Sequence, residues 1–183
     1  MAFTKLETKA LAGLAVLYAS RMMGLFIGLK DLDGNSPRGE RRVAQGVATA
    51  KGKHLLKTFV FVPECQATGF VVPQSAFDWT NQTLSVKPLD LNALPFPKGA
   101  THLGLTLGVM DFDFNRLSHT LHFSPTAYLE KNSTVAGFTL QPDVVAPPQH
   151  SGFAVLGLQF VEIIDGEVYV LKSLKAHGCV LVS

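Results

Sequence analysis

The stretch from Thr4 to Leu29 is almost wholly apolar and contains no proline, and a long region of short apolar runs follows it. Thr4 and Glu7 have the spacing of a capping box, in which the two side chains satisfy backbone N–H groups at the start of a helix. The pattern predicts a single long helix from Lys5 to Leu29. The sequence Asp-Leu-Asp-Gly-Asn at residues 31–35 collects turn formers that end this helix.

This helix has about the ~20 apolar residues that are needed to cross a bilayer. Arg21 lies near its middle, however, and a central arginine costs at least about 2.5–3.5 kcal/mol on insertion scales. We therefore expect a helix in a core or a subunit interface, and membrane association during assembly stays open. The expected assembly interface consists of its large apolar side chains: Leu6, Leu11, Leu14, Leu17, Tyr18, Met22, Leu25, Phe26 and Leu29.

The N-terminus carries one family resemblance. Residues Phe3 to Glu7, followed by the apolar helix, resemble the mature start of type IV pilins, in which a phenylalanine begins the chain and a glutamate four residues later helps to register subunits in a helical bundle. Lys9 and Arg21 interrupt the apolar stretch, and Ala2 stands where that family prefers glycine. No cleavable signal peptide is expected, since Tyr18 is bulky where a small residue is needed.

Composition favours association. The chain has 183 residues, enough for one domain with appendages. Charged residues make up 16%, below the typical ~25%, and 47% of the residues are apolar. Such a surface has few charges to keep it monomeric. The net charge of +2 is too small to indicate a polyanionic partner by itself.

Cations are concentrated in one segment, where Glu40 is the sole acid: Arg38, Arg41, Arg42, Lys51, Lys53 and Lys57. A phosphate loop is excluded, because the glycine spacing is one residue too long and His54 replaces the required Ser or Thr. No aromatic residue occurs between Phe26 and Phe59, so no nucleic-acid partner is expected. The alanine-rich run from Glu40 to Ala50 predicts a short basic helix with a solvated or inter-subunit face.

The rest of the chain is typical of an antiparallel β-sandwich, Ig-like or jelly-roll-like, over residues 54–183, with residues 1–53 as a helical arm and connector. A two-residue Asp165-Gly166 turn predicts a C-terminal hairpin. Two similar runs, Leu103–Val109 and Val155–Val161, could form central strands of facing sheets. Nine strands are predicted: His54–Val62, Gly69–Val72, Thr83–Lys87, His102–Phe112, Leu117–Phe123, Ala136–Gln141, Phe153–Ile164, Glu167–Leu171 and His177–Val182.

A second resemblance rests on Gly99-Ala-Thr-His102, together with the basic helix before it and the hairpin at the end. This combination resembles a group of uncharacterised Bacteroidota proteins with a helical N-terminal part and a β domain that carries a Gly-Ala-Thr-His stretch. The resemblance implies a fold of that kind and no particular activity.

Candidate chemistry is sparse. Asp111, Asp113 and Asn115 alternate along a strand and could offer oxygen ligands to a hard cation, but Arg116 occupies the glycine position of a calcium loop. We expect these acids to lie at a strand end in water. His119 and His122 fall on opposite faces of a strand, which separates them as ligands.

The cysteines do not indicate a metal site either. His177 and Cys179 share a strand face, but two ligands do not make a zinc site. Cys65 and Cys179 are expected to be buried thiols, with a disulfide left open. No metal, cofactor or catalytic residue is therefore predicted.

The predicted function is that of a non-enzymatic structural subunit. Its apolar helix and β-edges would join copies of the chain into a filament, shell or surface layer, at the cell surface or outside the cell rather than in the cytoplasm. The alternative is a monomeric glycan- or protein-binding module with the helix packed on its own sandwich, in which Phe77, Trp79 and Tyr128 could stack on sugars. A third interpretation, an enzyme, predicts one pocket containing several of His102, Asp111, Asp113, His119 and His122.

Overall fold

The computed structural model describes residues 23–113, 116 and 118–182. Helices lie at residues 23–31 (α1), Val43–Ala48 (α2), Ala50–Thr58 (α3) and Gln66–Val71 (α4). The strands are β1 (Ser75–Asp78), β2 (Thr83–Val86), β3 (Leu89–Asp90), β4 (His102–Asp113), β5 (Ser118–Phe123), β6 (Ala127–Glu130), β7 (Thr134–Val135), β8 (Phe138–Leu140), β9 (Ser151–Ile164), β10 (Glu167–Val170) and β11 (His177–Leu181).

The main element is a six-stranded antiparallel sheet around β4 and β9. These two strands pair from His102 opposite Val161 to Phe112 opposite Ser151. On the outer side of β4, β6 pairs with its first part and β5 with its last part. On the outer side of β9, β11 pairs with residues 155–159 and β10 with the end of the strand, residues 161–164. The sheet is therefore four strands wide, with two short strands at each edge.

Two smaller antiparallel sheets complete the β structure. One has the order β1-β2-β8, and the other pairs β3 with β7. Buried side chains of the small sheets, such as Leu84 and Leu89, belong to the same hydrophobic cluster as Leu105 of β4 and Leu158 of β9. The mainly β, antiparallel character expected from the sequence is thus confirmed.

The two long apolar runs lie side by side in one sheet, so their predicted placement in facing sheets was wrong. Leu103 pairs with Phe160 and Leu107 pairs with Leu156. β4 is buried along most of its length, and the buried residues of β9 lie between Ala154 and Val161. Near-continuous apolar runs of this kind are typical of strands that are covered on both faces.

The predicted strand His54–Val62 was wrong in its first half. Thr49 caps α3 by accepting a hydrogen bond from the N–H of Gly52 at 2.9 Å, and the helix continues to Thr58. Only the end of the run is extended, where Val60 forms a bridge with Val180 of β11. The expected domain boundary between residues 53 and 54 therefore falls inside a helix.

The predicted strand Gly69–Val72 was also wrong, because these residues belong to α4 and the 3-10 turn that follows it. Ala67, Thr68 and Val71 are buried. Their spacing is helical, and α4 packs against β11. A short apolar run does not distinguish helix from strand, and tertiary packing decides.

The other seven predicted strands correspond to β2, β4, β5 and β8 to β11, although β8 starts later than expected. The Asp-Gly hairpin is confirmed. Ile164 pairs with Glu167 across the turn, and both Asp165 and Gly166 have positive φ, at 52° and 82°. These values match the two-residue turn whose twist suits paired strands. The short strands β1, β3, β6 and β7 were not predicted from the apolar pattern.

Helix α1 ends at residue 31, two residues beyond the predicted end at Leu29 and within the segment of turn formers. The buried carboxylate of Asp33 organises the turn after it, accepting backbone N–H bonds from Asn35, Ser36 and Arg42. The Lys5–Leu29 helix is described only from residue 23 onward, and its earlier part lies outside the described residues. Within the described chain, none of the helices has the length and hydropathy needed to span a membrane.

Helix α1 approaches α2 through a glycine. A methyl group on Gly46 would overlap the backbone carbonyl of Leu29, so the helices meet backbone to backbone at this point. A methyl group added to Gly28 would lie 3.4 Å from the side chain of Leu55 in α3. This end of α1 is therefore held against α2 and α3 of its own chain. The helix predicted as basic over Glu40–Ala50 is α2, which contains no cation, and the lysines lie on α3 instead.

We expect Gly46→Ala to destabilise the protein by about 3 kcal/mol, because the added methyl forces α1 away from α2. The control is Gly24→Ala in α1, where a methyl group meets nothing within 4 Å and should stabilise the helix by about 0.5–1 kcal/mol. Denaturant unfolding measures both changes. Equal stability of the two variants would show that α1 is not docked at Gly46.

Candidate functional site

Three of the expected assembly residues are described, and they differ in their exposure to solvent. Leu25 and Leu29 are buried, at 5% and 1% exposure, whereas Phe26 is 40% exposed. Met23 and Ile27, beside Phe26 on the helix, are exposed as well. The pilin-like segment at residues 3–7 lies outside the described part of the chain. The same is true of the other expected interface residues: Leu6, Leu11, Leu14, Leu17, Tyr18 and Met22.

The most organised polar cluster lies where β4 meets the segment before β9. Asp111 accepts hydrogen bonds from the backbone N–H groups of Gln149 and His150, both at 2.9 Å, and its Oδ2 lies 3.0 Å from His150 Nδ1. The other ring nitrogen of His150 lies 3.6 Å from Asp113 Oδ2. One imidazole therefore lies between two carboxylates of the same strand face.

Asp113 also organises the turn after β4. Its Oδ1 accepts the backbone N–H of Arg116 at 3.2 Å, and its Oδ2 lies 3.9 Å from the Arg116 guanidinium. Asp113 is buried, contrary to the expectation that both acids lie at a strand end in water. The reason is the return of the chain at residues 146–150, which covers this face.

The pKa of Asp111 reflects this environment. Burial of the carboxyl opposes ionisation, but the bonds from His150 and Gln149 outweigh it and hold the pKa below its usual value of 3.8. The carboxylate is thus ionised near neutral pH and bound to the backbone of the returning segment. This arrangement fixes a loop, which is a structural use of an Asp–His pair.

A cavity of about 430 Å3 lies beside this cluster. His119 and His122 both border it, although their spacing predicts opposite faces of β5. Its polar lining also includes Asp111, Asp113 and His150. Four of the five residues expected in an enzyme pocket are thus together. The fifth, His102, lies at the opposite end of β4, where its Nδ1 is 2.9 Å from Thr101 Oγ1. Asn115 lies outside the described residues.

These side chains do not form a metal site. Among the described residues, no group of three His, Cys, Asp or Glu side chains is arranged to hold a metal ion. His177, which shares β11 with Cys179, bonds the carbonyl of Leu171 through Nε2 at 2.7 Å.

Cys65 and Cys179 are free thiols in the structure. Desolvation raises the pKa of both, that of Cys179 to about 12. Thiols with raised pKa values contain little thiolate at neutral pH and react slowly. The expectation of buried, unpaired thiols therefore holds for Cys65, whereas Cys179 is only partly covered.

A second cavity, of about 570 Å3, opens on the other side of the same returning segment. Lys53, His54 and Lys57 of α3 line one wall, and Trp79 and His150 line another. The rest of the lining is mostly apolar, from α2 and β9. The basic segment and the tryptophan, which are far apart in the sequence, thus share one pocket.

The possible carbohydrate-stacking aromatics are divided between sheets. Phe77 and Trp79 form an edge-to-face pair with ring centroids 4.9 Å apart. Tyr128 belongs to β6 of the large sheet, where it pairs with Gly104. The first two lie in or directly after β1 of the small sheet.

Sequence reasoning missed His150 and its loop. Asp111 and His150 are 39 residues apart, and the segment between them carries no motif that announces the contact. The pairing of β4 with β9 creates it, because Asp111 lies opposite Gly152. Trp79 is brought to the basic helix in a similar way, through its contact with Gly152.

Comparison with known proteins does not extend these observations. No protein-family model, curated protein or solved structure matches the chain. The resemblances to type IV pilins and to the Bacteroidota proteins remain predictions. In the Gly-Ala-Thr-His stretch that carries the second resemblance, Gly99 has a positive φ of 88° and His102 begins β4.

We expect Asp111→Asn to lower the free energy of unfolding at pH 7 by about 1–2 kcal/mol, because it removes charge-assisted hydrogen bonds at a partly exposed site. Since folding lowers the pKa of Asp111, its contribution is present above the usual value of 3.8 and is lost as pH falls through the folded-state pKa. The difference between wild type and variant should shrink over that range in urea unfolding experiments.

The control is Asp143→Asn, which changes an exposed aspartate of the same returning segment. It should leave stability nearly unchanged at every pH. A difference between wild type and Asp111→Asn that does not vary with pH would contradict the role assigned to the ionised carboxylate.

Proposed function

We propose that the protein is a non-enzymatic structural subunit that assembles with copies of itself into a filament, shell or surface layer. One observation carries the proposal. On α1, Met23, Phe26 and Ile27 are 60%, 40% and 49% exposed, while Leu25 and Leu29 on the same helix are buried. The helix has therefore satisfied one side within the chain and presents a second apolar side.

The exposed residues form a continuous stripe. Positions 23, 26 and 27 follow the i, i+3, i+4 spacing that places side chains together on one helix face. Single exposed apolar residues are ordinary on a protein surface, but contiguous ones indicate an interaction site. The expected interface therefore passes through Phe26 and its neighbours rather than through Leu25 and Leu29.

A second apolar surface lies at an edge of the large sheet. The hairpin of β9 and β10 carries Ile164, Val168 and Tyr169, all more than 40% exposed. It continues beyond Val161, where the pairing with β4 ends. An exposed edge strand presents backbone N–H and C=O groups that another strand can bind.

We favour a second copy of the chain as the occupant of both surfaces. They occur on different elements, so contact between unlike patches would join subunits head to tail and build an open polymer. The low proportion of charged residues, 16%, agrees with a surface that is partly covered in its working state. Assembly at the cell surface or outside the cell belongs to the same proposal.

The proposed subunit retains two finer features of the fold. We propose that the β1-β2-β8 sheet stacks on the large sheet as one half of a sandwich, which the shared hydrophobic cluster supports. We also propose that α1 belongs to a longer N-terminal helix that continues the exposed stripe. The stripe would then extend along the interface between neighbouring subunits.

The alternative is a monomeric glycan- or protein-binding module, and a specific observation favours it too. That interpretation places the helix on its own domain, and Leu25 and Leu29 are buried there. The two functions differ in what the outward face of α1 does. In the assembling subunit this face contacts a second copy of the chain, whereas in the monomeric binding module it is exposed to solvent and has no partner.

We expect the wild-type chain to form regular oligomers or polymers and the Phe26→Ser, Ile27→Ser double variant to remain at the 19.7 kDa of one chain. The substitutions remove apolar area only from the exposed stripe, so the fold should persist. Light scattering and negative-stain microscopy over a range of concentrations measure the difference.

The matched control is Val144→Ser, Val145→Ser, which removes two comparably exposed apolar residues from another surface. It should assemble as the wild type does. A second variant, Val168→Lys, places a charge on the edge strand and should shorten the polymers. A wild-type chain that stays monomeric at high concentration would exclude the assembly function and leave the binding module.

A further inference from the structure

The cavity beside α3 combines features that the sequence keeps apart. Lys53, His54 and Lys57 contribute positive charge or hydrogen-bond donors to one wall, and Trp79 contributes an aromatic surface to the other. Among the described residues, no carboxylate lines this cavity. Its volume of about 570 Å3 falls within the ~300–1,000 Å3 typical of small-ligand sites.

The tryptophan is held in place. Its six-membered ring lies against Gly152, where an added methyl group would come within 2.9 Å of the ring. An edge-to-face contact with Phe77 fixes it from another direction. The side chain nevertheless remains 38% exposed. A fixed and partly exposed indole is a platform on which a planar ring can stack without a large loss of conformational entropy.

The lysines suit a phosphate. Lys53 and Lys57 lie one helical turn apart on the same face of α3, so both ammonium groups can contact the phosphate groups of one ligand. No ion pair joins either of them to an acidic side chain in the described part of the chain. Lys51 and Arg42 are exposed nearby in the sequence and extend the positive potential along α2 and α3.

We propose that this cavity binds a nucleoside phosphate, presented by single-stranded nucleic acid or as a free nucleotide, with the base on Trp79 and the phosphate on Lys53 and Lys57. The expectation of no nucleic-acid partner rested on the lack of aromatics among the cations. The fold removes that objection, because it supplies Trp79 from outside the basic segment. The proposal does not rest on self-assembly.

A neutral sugar fits this lining less well. Sugar hydroxyls are normally recognised by several carboxylate and amide side chains, whereas the polar side chains here are lysine, histidine and one serine, Ser151. Lysine and histidine are donors suited to anions. An anionic glycan remains a distinct outcome of the test below.

Trp79 is the only tryptophan in the chain, so its fluorescence reports on this cavity alone. We would titrate the full-length protein with oligothymidylate of about ten nucleotides, a length within the usual site sizes for single strands. We expect saturable quenching that weakens with salt. Thymidine monophosphate in a parallel titration distinguishes the two sources, since a free-nucleotide site binds it about as tightly as the strand.

The decisive variant is Lys53→Ala, Lys57→Ala. Losing two phosphate contacts should weaken oligothymidylate binding by at least about tenfold near 0.1 M salt and reduce the salt slope by about 1.4, at ~0.7 per contact. The matched control, Lys30→Ala, Lys98→Ala, removes the same charge from exposed lysines that neither line the cavity nor belong to α2 or α3. It should bind within about threefold of the wild type.

Two results would overturn the proposal. In one, neither nucleic acid nor nucleotide changes the fluorescence of wild-type protein whose fold is confirmed by circular dichroism. The other is evidence of non-specific anion binding. Polyphosphate or a heparin fragment would then bind as tightly as oligothymidylate, or both double variants would lose binding equally. The second result would show a surface for anions in general, with no contribution from a base on Trp79.

Discussion

The pairing of β4 with β9 is the contact on which the rest of the structure depends. Eleven residue pairs join the strands from His102 to Phe112. Leu105, Leu107, Leu156 and others on these strands are fully buried, each contributing about 1.5–3 kcal/mol by its removal from water. The four shorter strands of the sheet pair only with β4 or β9, so none of them has a place without this ladder.

The ladder also positions the segment at residues 141–150. Its backbone donates to Phe123 through Asp143, its Ala146 carbonyl accepts from the buried Gln82, and its end is held by Asp111. The segment thereby joins the small sheet to the large one. It also separates two cavities of different chemistry, one lined by Asp–His pairs and the other by lysines and a tryptophan.

Both proposals use surfaces that the fold leaves available after its core is complete. Asp111 and Asp113, which the sequence offered as candidates for a cation site or for catalysis, hold the loop before β9 and the turn after β4. The outward face of α1 and the β10 edge have apolar area but no polar cluster, as expected for subunit contacts. The cavity beside α3 is lined by different side chains, so ligand binding and assembly can be tested independently on one chain.

Features that depend on neighbouring residues could be predicted from the sequence: the end of α1, the Asp165-Gly166 hairpin and most strands of the large sheet follow from capping, turn geometry and apolar patterning. The tertiary structure decided whether the runs at His54 and Gly69 were helical, because both helices contact β11 and such contacts outweigh weak local preferences. It also decided which distant side chains meet. His150 reaches Asp111 and Trp79 reaches the lysines of α3 only because the ladder brings Gly152 opposite Asp111, and such long-range contacts leave no periodic signal in the chain.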